Sequence, residues 1–193
     1  SGDGLHRQTT WSLDQLRGDI ARLGLTIPVS DDCSVLGEKL AVGGRTAPNR
    51  FAVQPMEGFD STADGAPGPL SVRRYTRYAK GGFGLVWMEA TAVRNEGRSN
   101  PGQLCLHKDN AAVFRELIQT MRKTAKDTFG RDLVIVIQLT HSGRYSKPTG
   151  IPQPIIAHRS PVLDPLHKLP PDYPLVTDDY LDRLQDTYVD AAR

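Results

Sequence analysis

Apolar positions recur along this chain with two periods that take turns, and their order predicts the elements. Over residues 12–24, Leu13, Leu16, Ile20 and Leu23 keep helical spacing, with Ser12 able to cap the start and Gly24 to end it. Residues 28–48 carry Pro28, Gly37, Gly43, Gly44 and Pro48, which suits loops and a short hairpin. Arg50 to Pro55 reads as a first strand stopped by proline, and residues 70–80 as a helix closed by Gly81-Gly82. A second strand, 84–93, is apolar on both faces for most of its length. Asp109 is the expected N-cap of a helix whose stripe holds Val113, Phe114, Leu117, Ile118, Met121 and Ala125 and which stops at Gly130. Residues 133–139 form the clearest strand; their nearly unbroken apolar run predicts burial on both faces, as in a parallel sheet covered by helices. Ser142 to Thr177 holds eight of the 14 prolines and predicts a long structureless loop of the kind that carries function. Thr177 then caps a last helix, with Asp178 and Asp179 in its first turn and Leu181, Leu184, Tyr188 and Val189 facing inward.

Strands alternating with helices predict a parallel α/β fold. Length agrees, since 193 residues suffice for one domain with a sizeable core. The 24 Lys+Arg against 22 Asp+Glu leave a net charge of +2, and no basic run exceeds Arg73-Arg74, so a nucleic-acid partner held by bulk charge is not expected. No apolar run approaches the ~18 residues of a membrane span. Ser1-Gly2-Asp3-Gly4 lacks the basic-then-apolar pattern of a signal peptide. Cys33 and Cys105 are the two cysteines and form no CxxC, which removes the usual zinc pattern and favours two reduced thiols in the cytoplasm over a disulfide. No metal site is expected. No GxGxxG or Walker A sequence follows a strand, which argues against a nucleotide-binding doubly wound sheet.

In a (β/α) barrel, chemistry sits at the C-terminal ends of the strands. Those ends are Gln54-Pro55-Met56-Glu57, Glu89-Ala90-Thr91 and Gln138-Leu139-Thr140-His141. Gln138 is the most informative, because a carboxamide ending an apolar strand offers one acceptor and two donors, matching a heterocycle edge with alternating N–H and C=O groups. The plainer reading has it satisfy loop backbone. Ala90 and Thr91 are small where a flat ligand needs room, or small for packing alone. Pro55 and Met56 wall an aromatic ligand or fill the barrel mouth. His141 and Arg144 face a ligand or form a loop-fixing hydrogen-bonded pair. Tyr75 and Tyr78, at helical spacing, read as packing, and His158 and His167 fall in the proline-rich loop.

Taken in order, Asn49-Arg50-Phe51…Gln54-Pro55-Met56, Tyr78-Ala79-Lys80-Gly81-Gly82-Phe83-Gly84-Leu85, Glu89-Ala90-Thr91-Ala92-Val93 and Gln138-Leu139-Thr140-His141-Ser142-Gly143-Arg144 resemble the Old Yellow Enzyme family over about residues 45–193. The Q-L-x-H-x-G-R element is the most specific part and fits another FMN barrel, dihydroorotate dehydrogenase, poorly. The resemblance implies an eight-stranded TIM barrel, with residues 1–48 a helical lead-in and 49–193 the N-terminal half, about three β/α units. It implies FMN at the barrel mouth, with Gln54, Pro55, Met56 and Glu57 lining it, Ala90 backing the ring, Gln138 on the pyrimidine edge, and His141 and Arg144 supporting. It also implies hydride transfer from NAD(P)H through the flavin to the β-carbon of an activated alkene, an enone-type small molecule.

Two departures qualify it. Where the family often has Thr or Cys after Pro-Met, this chain has Glu57, expected to be either protonated in use or turned towards a cation. The family's substrate-gripping His/Asn or His/His pair, protonating Tyr and phosphate-binding loops match nothing up to Arg193, so no catalytic residue is assigned and this segment alone is expected to be inactive. The rest of the barrel is expected in the same protein. The reading from another class is a non-catalytic half-barrel that binds or assembles, its bare sheet edges covered by a partner or by a second copy as a homo-oligomer.

Overall fold

The computed structural model describes residues 12–193, in two compact units divided between Val35 and Leu36. Ser1 to Gly4, where a signal pattern was sought, lies outside the described residues. In the first unit, α1 (Leu13–Arg22) opens on a capping box between Ser12 and Gln15, and Arg17 reaches Asp31 at 2.6 Å. None of its residues is buried.

The second unit begins with a hairpin, β1 (Leu40–Val42) against β2 (Arg45–Ala47), turned by Gly43 and Gly44. A parallel sheet comes next. β3 (Ala52–Val53) pairs with β4 (Leu85–Ala92), and β4 with β5 (Val134–Thr140). The crossovers are α2 (Pro69–Lys80), with proline in its first turn where no N–H is missed, and α3 (Ala111–Phe129), ended by Gly130 at φ +66°. Val53, Val86, Met88 and Leu133 from the sheet meet Tyr75 and Ala79 of α2 and Leu117, Met121 and Ala125 of α3 in the main core. Two further helices, α4 (Leu163–Leu166) and α5 (Asp178–Ala192), complete the unit. Among the described residues no helix is long and apolar enough to cross a membrane.

Several expectations change. Only Ala52 and Val53 of the segment Arg50–Pro55 pair as strand: the Asn49 side chain accepts from the Phe51 N–H, and Pro55 has none to give. The α3 cap is Asn110, not Asp109; its amide group is already engaged with His107 N and the carbonyls of Cys105 and Asp64. Val113 stands off the buried stripe, 38% exposed. β5 is not buried on both faces. Val134 alone is buried in it, because its far edge has no neighbouring strand among the described residues. On α5, Leu181, Leu184 and Tyr188 are half-buried and Val189 is exposed, although Thr177 caps the helix as the sequence predicts, through Tyr180 N at 3.2 Å.

The proline-rich stretch is ordered rather than structureless. A 3-10 turn at Gly143–Tyr145 and α4 interrupt it, and Ile156 is buried. Asp164 is gripped by Arg144 and, at 2.8 Å, by Arg159. Tyr173 Oη donates to the Pro154 carbonyl at 2.7 Å. Prolines remove donors, so the segment is held by side chains in place of a ladder.

Candidate cofactor site

The C-terminal ends of β3, β4 and β5 lie side by side because the three strands are parallel neighbours. Alternation along β4 would normally put Trp87 and Ala90 on opposite faces. A register shift between Met88 and Ala90 inserts one extra residue, so Trp87 pairs with Val136 and Ala90 with Gln138. Ala90 therefore shares a face with Trp87, Val136 and Gln138. Exposure agrees: Trp87 is 42% accessible and Ala90 and Gln138 half-buried, while Val86, Met88, Glu89 and Thr91 are sealed. Thr91 cannot line a ligand; its hydroxyl donates to the Glu89 carbonyl at 3.0 Å.

Gln138 ends this open face, and among the described residues its carboxamide has no hydrogen-bond partner. The reading in which it satisfies loop backbone is not what the fold shows. On the other flank, Gln54 is exposed, Met56 is 73% accessible and Pro55 is half-buried. These side chains stand out from a backbone that is firmly anchored just beyond them.

That anchor is polar. Glu89, fully buried at the β4 bulge, accepts from Arg74 Nη2 at 2.6 Å, Tyr75 Oη at 3.0 Å and the Gly58 N–H at 2.8 Å. Tyr75 Oη in turn accepts from Glu89 N, at 2.8 Å. Arg74 also holds Asp60, at 2.5 Å, and keeps that carboxyl below its ordinary range. Burial pushes the Tyr75 hydroxyl well up, so it stays protonated and donating. Tyr75 thus does more than pack.

Glu57 is half-buried and, among the described residues, is not paired with a cation. It accepts from Ser99 Oγ at 3.0 Å, Asn100 Nδ2 at 3.1 Å and Gln103 Nε2 at 3.2 Å. Neutral donors surround it, so of the two expected arrangements the turn towards a cation is not found among the described residues. Burial raises its pKa above the ordinary carboxylate value, and Glu89 adds to this, while the three donors oppose. The donor loop is itself fixed by Arg98, 3% exposed, which donates to Ser61 Oγ at 3.1 Å and to the carbonyls of Gln103, at 2.8 Å, and Pro101.

His141 and Arg144 do not bond each other. His141 Nδ1 accepts from the Gly143 N–H at 3.1 Å, which leaves the proton on Nε2 facing Tyr180 Oη at 2.9 Å. Burial lowers its pKa and keeps it neutral. Its ring lies where a Cβ on Gly97 would stand. Arg144, bound to Asp164 and to the His158 carbonyl, fastens the proline-rich segment. Both side chains are bonded within the loop, and that of His141 also to α5.

The residues that sequence reasoning missed are Arg74, Asp60, Arg98 and Gln103, and the role of Glu89. A charged residue within an otherwise uncharged, largely apolar strand was the one available signal for Glu89.

The family model for the NADH:flavin oxidoreductase / NADH oxidase family matches residues 36–193. The chain belongs to that family. It groups with the Old Yellow Enzymes: an NADPH dehydrogenase of Halalkalibacterium halodurans is 33% identical over 117 residues, 60% of this chain and 32% of that relative. The Old Yellow Enzyme homologue of Zymomonas mobilis superposes with a TM-score of 0.60 at 26% identity, over 81% of this chain and 44% of its own. The Old Yellow Enzyme of a Pichia species gives 0.64 at 19% identity, over 82% and 42%, and speaks for the fold alone. This chain thus spans about a third of the curated relative's length, and its parallel α/β layers are part of an Old Yellow Enzyme TIM barrel. FMN and NAD(P)H are the cofactors of the family. The open face fits a flavin, having a small residue at Ala90 and a carboxamide at Gln138 with no partner among the described residues.

Proposed function

We propose that this chain forms the flavin-facing first part of an NAD(P)H-dependent ene-reductase acting on α,β-unsaturated carbonyl compounds. FMN, when bound, supplies the redox chemistry, carrying a hydride from NAD(P)H to the β-carbon of the alkene. The chain's own residues bind and orient. Gln138 meets the pyrimidine edge with its donor and acceptor, Ala90 leaves room behind the ring, and Gln54 to Glu57 line the remaining flank with Pro55 and Met56 as apolar wall. His141 and Arg144 hold the loop after β5. The remaining barrel strands, which the longer relatives carry beyond the matched segment, complete the pocket in the same protein.

One observation carries this reading: a strand-end carboxamide without a partner, in register with a small residue on the neighbouring strand. The test is spectroscopic. The full-length protein carrying this chain is expected to purify yellow, with a flavin band at about 450 nm, and to oxidise NAD(P)H in step with saturation of 2-cyclohexenone, turnover that residues 1–193 alone are not expected to show. Gln138→Leu is expected to weaken FMN binding about tenfold, the cost of leaving the ring edge unpaired, with unchanged resistance to urea. Colourless protein that elutes as a dimer and takes up no added FMN overturns the proposal in favour of a half-barrel assembly module.

A further inference from the structure

We infer that Glu57 is a positioning residue: its carboxylate, gathered by Ser99, Asn100 and Gln103, fastens the segment Gln54–Met56 to the far loop and sets where the flavin-facing tip stands. The inference rests on the proposed flavin-binding role for what the tip faces. Its mechanical part stands on the geometry alone.

β3 contributes two paired residues, so the ladder ends at Val53 and cannot hold the residues after it. Beyond that point no side chain of Gln54, Pro55 or Met56 is hydrogen-bonded among the described residues, and Gln54 and Met56 are exposed. The first anchored atoms are those of Glu57 and the Gly58 N–H. The Glu57 anchor has no slack in its orientation. Gln103 Oε1 accepts from Ser99 N at 2.6 Å, so its Nε2 must be the donor; that nitrogen's two hydrogens go to Glu57 Oε1 and to the Ala90 carbonyl, each at 3.2 Å. Gln103 is 1% exposed, and Arg98 locks the loop beneath it. Through one amide group the tip on β3 is therefore tied to the backbone of Ala90 on β4, the residue in register with Gln138. Three neutral donors give directed bonds and leave the negative charge in place, whereas a cation would have pulled the side chain to itself. The groups facing Glu57 are these donors and, as the nearby charge, Glu89.

Hydrogen–deuterium exchange on the flavin-free chain tests the fastening directly. In Glu57→Ala, exchange over residues 54–58, read at the Gly58 N–H as the hydrogen-bonded amide of that segment among the described residues, is expected to accelerate about tenfold, since the tip loses one of its two anchors and opens more often. Glu57→Gln is expected to recover most of that protection, because its Oε1 still accepts from Gln103 and its Nε2 can donate to Ser99. Asn100→Asp keeps the acceptor for Gly102 N but sets a second carboxylate against Glu57, and should loosen the same segment with Glu57 untouched. Unchanged exchange over 54–58 in both Glu57→Ala and Asn100→Asp overturns the inference, as does acceleration spread evenly over the chain. FMN affinity is measured in parallel and is expected to fall about tenfold in Glu57→Ala, to fall in Asn100→Asp as well, and to stay near the wild-type value in Glu57→Gln. If wild-type protein takes up no FMN, the flavin-binding proposal fails while the exchange result still decides the fastening.

Discussion

The ends of β3 and β5 offer two ways to hold a binding surface. β5 runs for seven residues, all of them paired with β4 across a single bulge, and delivers Gln138 from that ladder. β3 pairs over two residues and delivers Gln54 to Glu57 from beyond its last pair. What the short strand lacks in backbone bonds is supplied by side chains from elsewhere: Glu89 on the Gly58 N–H, and the Ser99–Gln103 loop on Glu57. Placement by ladder is generic and tolerates many sequences. Placement by side chains depends on a few identities.

Breaking the side-chain route should therefore cost far more than a comparable change near β5. Glu89→Ala has the largest expected effect, about 3–5 kcal/mol, because it strands Arg74 and Tyr75 without their buried acceptor. Urea unfolding monitored by Trp87 fluorescence measures it, and a loss below 1 kcal/mol would show the bulge to be held by packing alone. Gly58→Ala comes next, at about 1–2 kcal/mol, since its Cβ would stand on the Arg74 guanidinium, which Asp60 and Glu89 prevent from yielding. The same unfolding assay reads it, and Asp60→Asn combined with Gly58→Ala should soften the penalty by freeing Arg74.

The β5 side supplies the smallest effect and a pH signature. His141 has a folded-state pKa below its ordinary value of 6.5, so the neutral ring is the form the fold prefers. Its contribution is complete above pH 6.5 and is lost as pH falls through the lowered value, because a protonated Nδ1 can no longer accept from Gly143. The unfolding midpoint should decline as pH falls below 6.5 in the wild type and stay flatter in His141→Gln. Equal slopes would assign the decline to other groups.

Legibility divided along the same line. The parallel order, the helix ends at Gly81 and Gly130, and Gln138 as a strand-end carboxamide could all be read from spacing and turn chemistry. The Glu89 bulge could not: alternation predicts one buried face, whereas Met88 and Glu89 are consecutive and both sealed. Neither could the partners of Glu57, since polar residues such as Ser99 and Asn100 in a Gly/Pro-rich stretch read as solvent-facing loop. β5 shows the opposite error, an apolar run that predicts two covered faces where the described residues cover one.

The donors that gather Glu57 lie 42, 43 and 46 residues further along the chain. Closing loops of that span has an entropic penalty that local contacts do not share, so these bonds can form cheaply only after β4 has already brought its neighbours together. In a refolding molecule the segment from Gln54 to Glu57 is thus among the last to find its shape, even though it is synthesised before the loop that holds it.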